Sequence, residues 1–242
     1  MDKSGLAVEA AQSLPQSDLI RAVTRSAGGV KITDVRISAD PNGQIGKRPG
    51  RYITLEGEPH LIGMTALIRR AIEQVIPPRG RLFAVGLGNP DITPDSLGAA
   101  VVRSITVRTG KRHRLFAIET DVAAKTGLES ARLVKAAAKE LRADCVLAID
   151  ALACADPHNI GKTVQISDAG LIPGSGADLS CGELSRETLG IPVAAIGVPT
   201  MSLLSSVTKN KADSDLHITT ADIDVLIKMW AEAAAAALDE LI

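Results

Sequence analysis

Residues Arg81–Gly98 read RLFAVGLGNPDITPDSLG, and they contain a strand, a turn and a helix start around which we expect the rest of the chain to fold. The apolar run Leu82–Val85 is typical of a buried parallel strand, and the glycines of Gly86–Asn89 allow the backbone to turn sharply. Thr93 then predicts an N-cap, with a proline after it and Asp95 in the first turn of a helix. Functional sites of open α/β sheets lie at this edge, so Asp95 is a candidate functional residue.

A second aspartate, Asp150, directly follows the apolar strand predicted over Cys145–Ile149. A carboxylate after a buried strand is costly unless it is paired or functional. If the two strands are neighbours, Asp95 and Asp150 approach each other, and one carboxyl can stay protonated while the other is ionised. That is acid–base chemistry suited to activating water against an amide, with Asp95, at a helix N-terminus, the more easily ionised. The structural alternative is that one aspartate starts a helix and the other caps a turn.

The remaining pattern predicts a single α/β domain over residues 1–242, with a mostly parallel sheet and helices on both of its faces. A β-hairpin over 30–56 is expected as an excursion from that sheet, and 202–217 as a linker to the last helix. Hydrophobic periodicity and turn signals predict the other elements. They are helices over 18–27, 61–76 and 128–141, a helix capped by Thr219, and strands over 164–167 and 192–198.

Composition excludes several function classes. The formal net charge of −1 argues against a general nucleic-acid binder. Asp91 occupies the position where a dinucleotide fingerprint needs its third glycine, so we expect no nucleotide and no other cofactor. The N-terminus lacks the regions of a signal peptide, and no apolar run approaches the ~20 residues of a membrane span. We therefore expect a cytoplasmic protein without a membrane partner.

The glycine-rich loop Pro173–Gly176 is a further candidate region. The backbone N–H groups of Gly174, Ser175 and Gly176 are suited to binding a substrate carbonyl as an oxyanion hole, and the alternative is that the loop only turns the chain. Ser175 together with His158 would fit a serine hydrolase. The residues around Ser175 do not match the Gly-x-Ser-x-Gly elbow that such an enzyme needs.

Six blocks of the sequence, in order, resemble the germination protease family of spore-forming bacteria. The blocks are LAVEA at 6–10, IGKRPGRYITLE at 45–56, GLGNPDITPDSLG at 86–98, AIDA at 148–151, QISDAGLIPGSG at 165–176 and ELSRETLGIPVAAIGVPT at 183–200. The similarity resumes weakly at 219–238.

This resemblance implies an endopeptidase of the spore core that degrades small acid-soluble spore proteins at germination. It also implies a zymogen, a homo-oligomer (a tetramer in the family) and a fold similar to hydrogenase maturation proteases. The family's proposed catalytic aspartates, in its TPD and AIDA motifs, correspond to Asp95 and Asp150. Its maturation cleavage corresponds to the bond between Gly5 and Leu6, which makes residues 1–5 a short pro-segment.

The sequence departs from the family at several points, and two other readings stay open. Gly5 stands where the family has an acidic residue, and the insertion usual before the last helix is absent. One alternative is a metal-dependent maturation-type protease with Asp95, Asp150 and His158 as ligands. The other is a catalytically silent homologue that only binds spore proteins.

Overall fold

The computed structural model describes residues 4–14, 17–172, 182–208, 210 and 216–242. Its helices are α1 (Ala7–Ser13), α2 (Met64–Glu73), α3 (Leu97–Ser104), α4 (Ala123–Thr126), α5 (Ser130–Leu141), α6 (Arg186–Leu189), α7 (Leu204–Thr208) and α8 (Ile223–Asp239). Its strands are β1 (Ile20–Ala27), β2 (Val30–Ile37), β3 (Gly50–Glu56), β4 (Gly80–Gly86), β5 (His113–Glu119), β6 (Cys145–Cys154), β7 (Thr163–Ser167), β8 (Val193–Leu203) and β9 (His217–Ile218). Short 3₁₀ turns cover Thr93–Asp95 and Pro157–Asn159.

The strands described form one sheet in the order β1-β2-β3-β7-β8-β6-β4-β5, with β9 added beside β8. The pairs from β8 through β6 and β4 to β5 are parallel. The pairs from β8 through β7 and β3 to β1 are antiparallel. The predicted α/β class is confirmed. The sheet is mixed and not mostly parallel as predicted, because β3 and β7 join the β1–β3 strands to its parallel half through antiparallel pairs. The β2–β3 hairpin forms as predicted, and it extends the sheet instead of standing apart because β3 pairs with β7.

Helices cover both faces of the sheet, as predicted. On one face α2, α3 and α8 pack around the fully buried Trp230, against alternate residues of β6 such as Leu147 and Ile149. On the other face α5 packs against the intervening residues of β4 and β6, including Phe83 and Val146. Because side chains alternate across a strand, one continuous apolar run supplies both cores.

Some local predictions are wrong. Residues 18–27, predicted as a helix, form the edge strand β1, since all eight residues of Ile20–Ala27 pair with β2. Thr93 is not an N-cap: it is the first residue of the 3₁₀ turn, Ile92 precedes it, and no side chain caps the turn. Thr219 does not cap the last helix either: α8 begins at Ile223 after Asp222, and the Thr219 hydroxyl donates to the Thr200 carbonyl at 2.6 Å. In these places the tertiary arrangement overrides a weak local preference.

The interval 202–217, predicted as a linker, contains the end of β8, all of α7 and the first residue of β9. Residues 209 and 211–215 of that interval lie outside the described residues. Of the helices that the structure describes, none is long and apolar enough to cross a membrane.

Candidate active site

Asp95 lies where the chain folds back after β4. The backbone N–H of Asn89 donates to Asp95 Oδ2 at 2.7 Å, and the backbone N–H of Asp95 donates to the Ile92 carbonyl at 2.8 Å. Gly88, with φ of +96°, makes this fold possible, because a Cβ at that position would lie 2.1 Å from the Asp95 carbonyl oxygen. The glycine turn predicted from the sequence thus positions the Asp95 carboxylate.

Two further glycines bring the start of α3 against the strand ends. A Cβ on Gly98 would lie 2.3 Å from the Leu87 nitrogen and 2.6 Å from the Ile149 oxygen, and a Cβ on Gly86 would lie 2.2 Å from the Gly98 oxygen. The backbone of α3 therefore touches the backbone of β4 and β6 directly. This contact carries Asp95, three residues before Gly98, toward the strand that holds Asp150.

Asp150 lies inside β6 instead of ending it. The strand continues to Cys154, and Asp150 pairs in register with Gly197 of β8. The residue is 5% exposed, and its Oδ1 accepts a hydrogen bond from the backbone N–H of Ala151 at 3.0 Å. A carboxyl within a paired, buried strand experiences a large desolvation cost when it ionises.

The two carboxyls differ in proton affinity. Burial raises the pKa of Asp150 well above its ordinary value, the charge of Asp95 raises it further, and the Ala151 N–H lowers it in part. Burial also raises the pKa of Asp95, the bond from Asn89 lowers it, and the charge of Asp121 raises it. Asp95 and Asp150 are therefore within electrostatic reach, and the greater burial of Asp150 makes Asp95 the carboxyl that ionises first.

Asp150 lies on the wall of a cavity of about 280 Å³, and the lining residues that the structure describes do not include Asp95. Its lining is mixed, with apolar surface from β6 and β8 and polar groups from β7 and the loop before β3. Besides Asp150, the polar side chains on the wall are Ser4, Lys47, Arg48, Tyr52, Gln165 and Ser167. Arg48 is held by ion pairs with Glu183 and with Glu187, and Tyr52 donates to the Arg48 carbonyl at 2.8 Å, so this wall is fixed.

The N-terminal segment lies in the same cavity. The backbone N–H of Gly5 donates to the Ala153 carbonyl at 2.6 Å, while the Gly5 carbonyl accepts a bond from Gln165 Nε2 at 3.1 Å. Leu6 is fully buried in the core. The junction between Gly5 and Leu6, predicted as a cleavage point, is therefore placed in the cavity that Asp150 lines.

Two polar residues of this region, Glu9 and Gln165, were not predicted from the sequence as part of the site. Glu9 is buried, and its carboxylate accepts hydrogen bonds from Ser4, Ala155, Asp156 and Asn159. Gln165 lies in a strand whose five residues are all buried. A long polar side chain between Val164 and Ile166 is the signal that could have identified it.

The structure does not place the other predicted site residues beside Asp95 and Asp150. His158 lines a second cavity of about 760 Å³, together with Lys31 and Glu56. Within the part of the chain described, no three His, Cys, Asp or Glu side chains form a group that could hold a metal ion, so the proposed set of Asp95, Asp150 and His158 is wrong. The loop of Gly174, Ser175 and Gly176 lies outside the described residues.

Comparison with known proteins gives one consistent family. The sequence profile of the germination protease family matches residues 6–224. The germination protease of Bacillus cereus (strain ATCC 10987 / NRS 248) is 34% identical over 242 residues, which cover 87% of this chain and 66% of that protein. The germination protease of Bacillus mycoides (strain KBAB4) is 36% identical with the same coverage. The chain thus spans 66%, just under two thirds, of the length of these relatives.

Among solved structures, the crystal structure of the [NiFe] hydrogenase maturation protease HycI from Thermococcus kodakarensis KOD1 matches with a TM-score of 0.46 and 18% identity. The match covers 70% of this chain and 96% of that chain. The family profile extends over most of the present sequence, from the N-terminal LAVEA block into α8, and includes both aspartates of the site. The chain belongs to the germination protease family.

Proposed function

We propose that this protein is an endopeptidase in which Asp95 and Asp150 share the acid–base work on water and a peptide bond. The proposed substrates are small acid-soluble spore proteins, degraded in the spore core at germination, in keeping with the family. Membership of the family supports the reaction class, and the geometry of the two carboxyls supports their roles.

The unequal proton affinities assign each carboxyl a role. Ionised Asp95 accepts a proton from the attacking water, and the water oxygen adds to the carbonyl carbon of the peptide bond. Protonated Asp150 then donates its proton to the amide nitrogen as the C–N bond breaks and the amine leaves. Asp95 ends protonated and Asp150 ionised, and a proton exchange between them or with solvent restores the starting state.

The observation that carries this proposal is the placement of Asp150. A buried carboxyl with a raised pKa, within electrostatic reach of a second carboxyl and on a cavity wall, is characteristic of catalytic sites. A purely structural aspartate in a strand interior would be expected to have its two oxygens occupied by donors. The described contacts of Asp150 give it one, the N–H of Ala151.

The test is single replacement of each aspartate by asparagine, which keeps shape and removes the titrating group. We expect Asp95→Asn and Asp150→Asn each to reduce cleavage of a purified small acid-soluble spore protein by about 10²–10⁴-fold, the usual contribution of acid–base catalysis. The matched control is Asp18→Asn, which makes the same change at an exposed position.

The melting temperatures of all three variants show whether the fold is retained. Full activity in both site variants would overturn the aspartate assignment. Full loss of activity, with a melting temperature no lower than that of the wild type, would support it.

A further inference from the structure

Asp150 and Gln165 flank the same residue of the sheet. Asp150 on β6 and Gln165 on β7 are both register partners of Gly197 on β8. Register partners project from the same face of a sheet, and two strand spacings of about 4.8 Å separate their Cα atoms by roughly 10 Å. The structure therefore places a carboxyl and a carboxamide on one face, on either side of a glycine, and both line the cavity.

A peptide backbone crosses the sheet between these two strands. The N–H of Gly5 is bound on β6 by the Ala153 carbonyl, and the carbonyl of Gly5 is bound on β7 by Gln165 Nε2. The Cα of Gly5 packs over Leu152, because a Cβ there would lie 2.9 Å from Leu152 Cβ. The cavity thus already holds one peptide group, with its carbonyl oxygen on the carboxamide of Gln165.

The orientation of the Gln165 carboxamide is fixed by its other bond. The backbone N–H of Ala7 donates to Gln165 Oε1 at 2.7 Å. An N–H can only donate, so the oxygen of the carboxamide must face Ala7 and its NH₂ must face Gly5. The two bonds lie on either side of Leu6, in the pattern that a strand residue makes with a parallel neighbour. Ala7 and Leu6 are fully buried, so this anchor is part of the core.

We propose that Gln165 Nε2 is the donor that binds the carbonyl oxygen of the peptide bond to be cleaved, at the position that the Gly5 carbonyl occupies in this structure. The inference rests on the proposed function, in which Asp150 acts in the hydrolysis of a substrate peptide bond. When the water oxygen adds to the carbonyl carbon, the negative charge that develops on the carbonyl oxygen is stabilised by the Nε2–H. The electron pair on this oxygen re-forms the carbonyl double bond as the C–N bond breaks.

A donor of this kind is effective because it is already oriented. The Ala7 anchor holds the carboxamide whether or not a peptide occupies the cavity, so no reorganisation is needed as charge develops. The recognised chemistry is the peptide main chain, which makes Gln165 indifferent to the side chains of a substrate. Gln165 would also perform the task that the sequence suggested for Gly174, Ser175 and Gly176.

The first test is Gln165→Met, which keeps the length of the side chain and removes its donor. With a purified small acid-soluble spore protein as probe, we expect kcat to fall about 10²–10³-fold, the loss seen when one oxyanion donor is removed. KM should change by no more than about threefold, since the lost interaction strengthens in the transition state. The control is Gln12→Met, the same change at an exposed position of α1.

The second test, Gln165→Glu, remains informative if the methionine variant does not fold. The glutamate keeps an oxygen for the Ala7 N–H, and it regains a donor, its O–H, only when it is protonated. The ratio of kcat in this variant to kcat in the wild type should therefore rise as the pH falls. Lys47, Arg48 and Asp150 line the same cavity in both proteins, so a pH-dependent ratio reports the titration of residue 165 and its charge coupling to these groups.

Each outcome decides between the two proposals. If Asp95→Asn and Asp150→Asn are inactive while both Gln165 variants keep wild-type kcat at every pH, the carbonyl-binding role fails and the aspartate assignment stands. If both aspartate variants stay active, the proposed function fails irrespective of Gln165. A kcat loss in Gln165→Met at every pH, together with a ratio for Gln165→Glu that recovers as the pH falls, supports the inference.

Discussion

At the residue scale, the site depends on one carboxyl that holds its proton and one that releases it. Asp150 is enclosed by β6 and β8 and has the Ala151 N–H as a donor, whereas Asp95 is only partly buried and accepts a short bond from Asn89. The difference in solvation, more than the charge of either neighbour, separates their pKa values. Hydrolysis would need Asp95 ionised and Asp150 protonated, which predicts a bell-shaped pH profile above the ordinary carboxyl range.

Asparagine at position 150 should stabilise the protein at neutral pH. The folded-state pKa of Asp150 is raised, so its contribution to stability is present below the unfolded-state pKa, near about 3.9, and is lost as the pH rises through the folded-state pKa. Asn has no such dependence. The melting temperature of Asp150→Asn relative to wild type should therefore increase from pH 4 to pH 8. A variant less stable than wild type throughout this range would contradict the desolvation argument.

Lys125 should influence the pKa of Asp95 through Asp121. Its ammonium lies 2.6 Å from Asp91 and 2.6 Å from Asp121, and the charge of Asp121 is one of the causes that raise the pKa of Asp95. In Lys125→Met the charge of Asp121 is no longer neutralised, so the acidic limb of the activity profile should move to higher pH. Lys135→Met, on the exposed side of α5, is the control and should leave that limb in place.

At the element scale, the approach of α3 to the sheet sets the separation of the two aspartates. The contact runs through backbone atoms at Gly86 and Gly98, so it has no side chain that could adjust. Helix and strand are close-packed there, and the 3₁₀ turn that carries Asp95 precedes the contact directly. Any displacement of α3 must therefore move Asp95 relative to Asp150.

Alanine at position 98 should destabilise the fold and remove activity together. Its Cβ would overlap the Leu87 nitrogen and the Ile149 oxygen, which are backbone atoms, and overpacking of this kind costs about 1–3 kcal/mol or more. Gly127→Ala is the comparison: it meets no atom within 4 Å but has φ of +71°, which costs about 1 kcal/mol. Urea denaturation separates the two effects. Equal losses would mean that α3 can shift freely.

Elements with a strong internal pattern were predictable from the sequence, and edge elements were not. β4 and β6 are continuous apolar runs, and their burial on both faces explains why their prediction is confirmed. β1 and β5 are the two outermost strands of the main sheet order, and mixed or basic sequences obscure them. Only their partner strands determine their conformation, and a local pattern does not carry that information.

At the scale of the whole molecule, the site lies where the sheet changes from parallel to antiparallel. β8 joins the parallel half, which supplies Asp150, to the antiparallel half, which supplies Gln165. The sequence predicted the first half and its aspartates, because strand and turn signals are local. It did not predict the pairing of β7 with β8, on which the position of Gln165 depends. Contacts between residues about 160 positions apart, such as Gln165 with Gly5, leave no local signal.

The N-terminal segment is held to the rest of the molecule by Glu9. Its buried carboxylate accepts bonds from the N–H groups of Ala155 and Asp156 and from the side chain of Asn159. Glu9→Gln replaces an acceptor oxygen with a donor facing other donors, which should cost about 2–4 kcal/mol of unfolding free energy. Glu140→Gln, at an exposed position of α5, should cost less than about 0.5 kcal/mol in the same denaturation assay. Equal stability of the two variants would contradict this account.

The central position of β8 determines which parts of the native molecule can open locally. Ala195, Ile196 and Gly197 are paired on both sides, by β6 and by β7, whereas the loop segment 46–48 and residues Ser4 and Gly5 reach the cavity from its periphery. Amide hydrogen exchange should accordingly be slowest in β8, at the rate of global unfolding, and faster in the covering segments. Transient opening would then uncover the cavity while its floor stays assembled, so a peptide could enter without the two aspartates losing their geometry.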